Sequence, residues 1–438
     1  MRRALPLLLP LLACASLEAD GPQDGPRPNL VVILADDLGA ETLGCYGGES
    51  YATPHLDRLA VEGVRLANAF TQPVCTPTRL ELLTGRSNAR NYVSFSVLPP
   101  EERTFAHVLQ GGGYRTCAVG KWQLLGAEHY GDDIRGRGTL PPDAGFDSHC
   151  LWQVESLGLR HWEPRLTIDG ETREFGEEQY GPDLALAHAL DWIDGERGDP
   201  FLLFWPMILP HGPFIAPPGT EGPRKPPGDV EQYGPMVEYM DTLVGRLVAA
   251  LEERDLADDT WVLFIGDNGS PRNVHSVRDG VEVRGAKNKP HDAGSRVPFL
   301  LWAPGRLEGG TVIEDPVSTV DVFATLADLA GLQLPTDREL DGWSLLPRLE
   351  GDAESHREWV AFHNRPRPLS KPDVPAQRWA RDARWQLFED GRLHDTSVDP
   401  RLESPLAAEE DDALRARARA RLERGLAQLP HPNDEPAP

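Results

Sequence analysis

The chain has 438 residues, 40% of them hydrophobic and 26% charged, which fits one large folded domain with a smaller one rather than a disordered or fibrous chain. Its formal net charge of −25 argues against nucleic acid and anionic membrane surfaces as partners. An anionic substrate would need a local cluster of Lys, Arg or His to offset that field.

The first residues, M-R-R-A-L-P-L-L-L-P-L-L-A-C-A-S, have a basic start, a short apolar core and small residues behind it. Residues 1–19 therefore read as a secretory signal: a membrane span needs about 20 apolar residues, and Pro6 and Pro10 interrupt a helix. Cleavage after Ala15 predicts a periplasmic or extracellular protein, and Cys14 in L-L-A-C offers a lipid-anchored alternative. Nothing else in the sequence is long and apolar enough to span a bilayer. Loss of Cys14 with the signal leaves Cys45, Cys75, Cys117 and Cys150. Four cysteines suffice for two disulfides in an oxidising compartment, and their spacing matches no zinc pattern.

A Gly/Pro-rich leader (21–28) precedes the first apolar run, N-L-V-V-I-L-A (29–35). Thr53 and Pro54 then cap and open a predicted helix that continues to Ala67. Further apolar runs follow at 116–120, 200–205, 260–266 and 297–303, each short and rich in β-formers, as strands buried on both faces are. Amphipathic helical patterns cover 183–193 and 236–253. This alternation predicts an α/β fold, a large mixed, mostly parallel sheet flanked by helices, over residues 28–351. A small C-terminal α+β domain is expected over 352–430. In it, residues 378–395 read as a hairpin turning at Asp390-Gly391, and an Arg-rich helix from 411 presents a solvated face.

In open α/β sheets ligands sit beyond the carboxyl ends of the strands. The run at 29–35 ends in Asp36-Asp37 and the run at 260–266 in Asp267-Asn268. Four oxygen-bearing side chains suit a hard cation, Ca²⁺ or Mg²⁺. Other strand ends lead to Lys121 and His211, and Lys287 precedes the run at 297–303. With a cation they would make a small electropositive site for a tetrahedral oxyanion, His211 being able to give a proton near neutral pH. Cys75 stands in P-V-C-T-P-T-R, where Thr76 and Pro77 suit a helix start and Gly85 its stop. The free N–H groups of that helix and the Arg79 guanidinium would stabilise an oxyanion at position 75. A plain thiolate fits poorly with an oxidising compartment and a hard cation.

C-T-P-T-R followed by L-L-T-G-R resembles the sulfatase signature, and the likeness extends through A-D-D-L-G, G-K-W, P-H-G-P-F, G-D-N-G, R-V-P-F and D-G-W-S-L-L-P. The resemblance implies an alkaline-phosphatase-like fold and hydrolysis of an organic sulfate ester, with a sulfated carbohydrate ranked ahead of a simple aryl sulfate. It implies that a separate maturation enzyme converts Cys75 to formylglycine, whose hydrate is the nucleophile. By matching positions, Asp36, Asp37, Asp267, Asn268 and residue 75 would ligate the cation, usually Ca²⁺ in this family. Arg79 would hold residue 75, while Lys121, His211 and Lys287 would bind sulfate and the last two would assist the leaving alcohol. Oligomeric state is not legible.

One position departs from the family pattern. G-K-W is followed by Gln123, where the family commonly has a histidine that takes the proton triggering sulfate release. An amide is no base at neutral pH. Gln123 would orient the hydrate while water or another group takes the proton, or the enzyme would be slow or inactive. Two alternatives follow: a phosphate or phosphonate ester hydrolase of the same superfamily, and a sulfated-glycan-binding relative that does not turn over.

Overall fold

The computed structural model describes residues 27–195, 198–351, 357–365 and 376–430. The signal segment, with Cys14, lies outside the described residues. In chain order the strands of the large domain are β1 (Asn29–Ala35), β2 (Val64–Phe70), β3 (Arg115–Lys121), β4 (Ser148–Trp152), β5 (Arg165–Ile168), β6 (Glu171–Glu174), β7 (Phe201–Pro206) and β8 (Thr260–Gly266). A separate hairpin, β9 (His275–Arg278) and β10 (Val281–Arg284), precedes β11 (Phe299–Trp302) and β12 (Thr311–Ser318). All but the hairpin join one 10-stranded sheet in the order β12-β2-β11-β8-β1-β7-β3-β4-β5-β6.

β1 lies at its centre, parallel to β7 and β8. Its side chains alternate between two cores: Val31, Ile33 and Ala35 pack on one face of the sheet, Leu30, Val32 and Leu34 on the other. This two-sided burial explains a continuous apolar run where a half-exposed strand would alternate. The register sets Ala35 opposite Gly266, so Asp36-Asp37 and Asp267-Asn268 leave the sheet side by side at its carboxyl edge.

The structure corrects the helix predicted from Thr53 to Ala67. The helix ends at Glu62, and Val64–Phe70 is β2. Gly63 makes the switch: a Cβ there would lie 2.1 Å from the Leu301 carbonyl oxygen, so the chain turns where only glycine fits against β11. The short strands β4, β5 and β6 at one end of the sheet, and β12 with its bulge at the other, also carry no long apolar run and escape the sequence pattern. The two disulfides that four cysteines would allow are not formed: Cys45, Cys75, Cys117 and Cys150 are all free. Cys117 and Cys150 sit in the sheet core as small apolar side chains.

A second sheet follows, β13 (Val360–Asn364), β14 (Gln377–Arg381), β15 (Trp385–Phe388) and β16 (Leu393–Asp395), antiparallel throughout. The predicted hairpin at Asp390-Gly391 is present between β15 and β16, but residues 378–395 also turn at Asp382–Arg384, making three strands instead of two. The Arg-rich helix, Ala413–Gln428, fully buries only Ala418, Leu422 and Gly425, half-buries Arg415, Arg419, Arg421 and Leu426, and leaves the rest toward solvent. This sheet docks through Phe70, which clusters with Val360, Phe362, Trp379 and Phe388. Arg381 stacks 3.7 Å over the Phe70 ring and donates to Asp292 at 2.7 Å, while Gln386 donates to the Pro290 carbonyl at 3.0 Å. The loop that carries Lys287 is thus held by the C-terminal sheet. Among the described residues no helix is long and apolar enough to cross a membrane.

Candidate active site

Cys75 opens the helix Cys75–Thr84, with Val74 extended before it and Gly85 in the left-handed conformation (φ 66°) at its end. The helix is buried throughout. Arg79, one turn on, is 1% exposed and donates from Nη1 to the carbonyls of Lys121 (2.9 Å) and Trp122 (3.0 Å). It thereby ties the helix to the carboxyl end of β3, with its Nε 3.9 Å from Asp267 Oδ2. The Nε and Nη2 groups have no other hydrogen-bond partner.

The two strand ends converge as their register requires. Asp267 Oδ1 accepts from the Asp37 backbone N–H at 2.9 Å, and Asn268 Nδ2 donates to Asp37 Oδ1 at 2.7 Å. Ligand atoms of Asp36, Cys75 and Asp267 lie within 4.8 Å of one another, and so do those of Asp36, Asp37 and His211. Asp36 Oδ1, Asp267 Oδ2 and Asn268 Oδ1 are buried without a hydrogen-bond partner, a costly arrangement unless a ligand satisfies them. Orphaned oxygens on three side chains around one point fit a hard cation.

The cations complete the cluster. Lys121 Nζ pairs with Asp36 Oδ2 at 2.6 Å, both ends buried, and Lys287 Nζ pairs with Asp37 Oδ1. Burial would raise the Asp36 carboxyl, but Lys121, His211, Arg79 and Lys287 together hold it below the usual carboxylate range. Asp37 is held low in the same way, chiefly by Lys287 and His211 against burial. Asp267 goes the other way, raised by burial and by the neighbouring Asp36 charge. Burial alone would lower Lys287, yet Asp37 and the charges around it raise it, so it stays an ammonium.

His211 differs from expectation. Burial pushes its imidazole down to about 4, against the pull of Asp37 and Asp36, so it is neutral at neutral pH in this arrangement. Its Nδ1 lies 2.6 Å from the Gly212 carbonyl, which can only accept. The proton therefore sits on Nδ1, and the Nε2 lone pair faces Asp37 Oδ2 at 3.7 Å.

Gln123 follows the end of β3 in a left-handed conformation (φ 53°). Its backbone N–H donates to Gln153 at 3.1 Å and its carbonyl accepts from Ser96 at 3.1 Å. The side chain lies between Cys75 Sγ, 4.0 Å from Oε1, and the Tyr130 hydroxyl, which accepts from Nε2 at 3.2 Å. All ten residues singled out from the sequence therefore belong to one cluster. Sequence reasoning missed Tyr130, Gln153 and Arg160. None belongs to a motif singled out from the sequence: Tyr130 and Arg160 stand in loops, and Gln153 directly follows β4.

Fold and cluster together define an α/β protein of the alkaline-phosphatase-like kind, with an acidic cluster that could hold a metal ion beside buried lysines. The Sulfatase family profile matches residues 28–332. Among curated relatives, mouse (Mus musculus) steryl-sulfatase is 33% identical, covering 89% of this chain and 76% of its own. Rat (Rattus norvegicus) N-acetylgalactosamine-6-sulfatase is 31% identical over 89% of this chain and 78% of its own. The solved PsFucS1 sulfatase from Pseudoalteromonas sp. shares the fold at a TM-score of 0.72 and 21% identity, covering 92% of this chain and 90% of that one. The chain belongs to the sulfatase family and is a sulfuric ester hydrolase.

Proposed function

We propose that the protein hydrolyses an organic sulfate ester to its alcohol and inorganic sulfate, with residue 75 acting as a formylglycine hydrate after oxidation of Cys75 by a separate maturation enzyme. The observation that carries this reading is the place of Cys75: at a helix N-terminus, within 4.8 Å of Asp36 and Asp267 ligand atoms, whose free oxygens have no other partner.

Asp36, Asp37, Asp267 and Asn268, with an oxygen of residue 75, would hold the cation, Ca²⁺ with Mg²⁺ as the alternative. When bound it supplies positive charge beside the nucleophile. Arg79, fixed by the Lys121 and Trp122 carbonyls, orients residue 75 from within the protein. Lys121 and Lys287 take the sulfate oxygens, their ammonium groups opposing the charge that develops in the transition state. One hydroxyl of the hydrate attacks sulfur, helped by the adjacent Asp267 carboxylate. The alcohol departs toward His211 and Lys287. With its Nδ1 proton directed at the Gly212 carbonyl, His211 would donate to it as the imidazolium, a form that the anionic ester favours. The second hydroxyl of residue 75 then gives up its proton, the bond to sulfate breaks, and the aldehyde re-forms and is rehydrated. Gln123 orients that hydroxyl, and a water takes the proton in place of a histidine.

The catalytic domain spans 28–351 and the C-terminal domain 352–430, and the signal directs the protein out of the cytoplasm. Peptide mass spectrometry across residue 75, on protein from the native host, tests the nucleophile. A mature formylglycine is expected, and an unmodified cysteine in an active preparation would overturn the mechanism. Parallel assays on an aryl sulfate and the matching aryl phosphate test the reaction, with sulfate the faster.

A further inference from the structure

Beside the sulfate site lies a cavity of about 180 Å³ lined by Trp152, Leu157, Leu159, Trp162, Pro213 and Ile215, with Arg160, His161 and Arg224 among the remaining wall residues. Its wall is tied to the loop that carries His211. Pro213 is two residues from His211, Arg160 donates to the Gly212 carbonyl, and the charges of Asp36 and Asp37 act on Arg160. An ester whose sulfate sits between Lys121 and Lys287, with its leaving oxygen toward His211, would direct its alcohol into this space.

The walls are built and fixed. Trp152 Nε1 donates to the Gly158 carbonyl and Trp162 Nε1 to the Ala216 carbonyl, each at 2.8 Å. Arg160 stacks on Trp152 at 4.4 Å and Arg224 on Trp162 at 4.3 Å. Both indoles are thus locked, with no N–H left for a ligand. The lining contains no Asp, Glu, Asn, Gln, Ser or Thr. The carbonyls of Leu157, Gly158, Leu159, Gly212 and Ala216 already accept protein donors. Of the side chains, only His161, whose Nε2 is buried without a partner, could accept from a hydroxyl. A sugar ring brings several hydroxyl donors, and each one buried without an acceptor costs roughly 1–3 kcal/mol. Leu157 and Leu159, 43% and 40% exposed at the rim, would instead gain from covering an apolar ring.

We infer that this cavity is the leaving-group subsite and that it selects esters of hydrophobic ring alcohols over sulfated sugars, reversing the order expected from the sequence. The inference rests on the sulfatase reading. The test is a matched pair, cyclohexylmethyl sulfate and glucose 6-sulfate, both primary esters on a six-membered ring, so leaving-group acidity differs little. The matured enzyme should hydrolyse the cyclohexylmethyl ester with kcat/KM about tenfold or more above that for the sugar ester. In Leu159→Asp that preference should shrink about fivefold or more. Equal or inverted preference in the wild type, or an unchanged preference in Leu159→Asp, would overturn the proposal. If neither ester is hydrolysed, the aryl sulfate assay decides the proposed function, and the subsite is judged separately by quenching of tryptophan fluorescence. Tighter binding of the cyclohexylmethyl ester keeps the subsite, and tighter binding of the sugar ester removes it.

Discussion

Glu81 lies in the middle of the nucleophile helix and is 1% exposed. Gln72 Nε2 donates to its Oε1 at 2.7 Å and the Asn88 N–H at 3.3 Å, while Oε2 has no partner. Burial, only partly offset by these donors, raises its carboxyl from 4.5 to about 8. Because the folded value lies above the unfolded one, the folded state prefers the protonated acid. The associated stability is fully present below pH 4.5 and is lost as pH rises through 8. At about 1.4 kcal/mol per pH unit of separation, the loss approaches roughly 5 kcal/mol above pH 8. Glu81→Gln imitates the protonated acid: its amide oxygen keeps both donors and its NH₂ replaces the unpartnered O–H. Thermal melts of both proteins from pH 5 to 9 should coincide at the acid end. They should then diverge, with the variant higher by on the order of 5 °C at pH 9. Other groups titrate in this range, but they are common to both proteins and cancel in the difference. Parallel pH profiles would show that Glu81 is not protonated in the fold and would refute the reasoning.

Gln123→His should speed sulfate release about tenfold or more, the low end of a well-placed general base. Rapid-quench mass spectrometry should find sulfated residue 75 accumulating only in the wild type, and no accumulation there with no faster variant contradicts the role given to Gln123. Chelation with EDTA should abolish turnover and lower Tm, since a cation at 100 times its Kd contributes about 2.7 kcal/mol; Ca²⁺ should restore both, and an unchanged melt in excess chelator counts against the ligand set. Arg381→Leu should cost about 2 kcal/mol, less than the about 3–5 kcal/mol of a fully buried half-pair, because Asp292 is 22% exposed and keeps Arg296 at 3.6 Å. It should also raise KM by loosening the loop that carries Lys287, and a drop in stability with unchanged KM would confine the contact to folding.

The site was more legible than the sheet, for a physical reason. A strand buried on both faces writes a continuous apolar run, and its chemistry stands at the next residue, so Asp36, Lys121 and Asp267 are found together with β1, β3 and β8. An edge strand such as β6 (E-T-R-E), exposed at every position, leaves no such run. β2 was absorbed into a helix because V-R-L-A continues the helical spacing, and only the approach of the Leu301 carbonyl to Gly63 separates the two. Long-range contacts of that kind, like those bringing Tyr130 and Arg160 to the site, have no local signature.

On the proposed reading, an acidic chain would bind an anion by exchanging partners within the site. Lys121 and Lys287 are engaged by Asp36 and Asp37. A divalent cation drawing those carboxylates toward itself would weaken both ion pairs and leave two ammonium groups, with Arg79 behind them, facing the same small space. Cation and sulfate would then bind with mutual assistance although they need not touch. Reciprocity requires that the ester strengthen the hold on the cation by the same factor. The net charge of −25 works in the same direction, since it favours the cation that turns this one edge of the sheet positive.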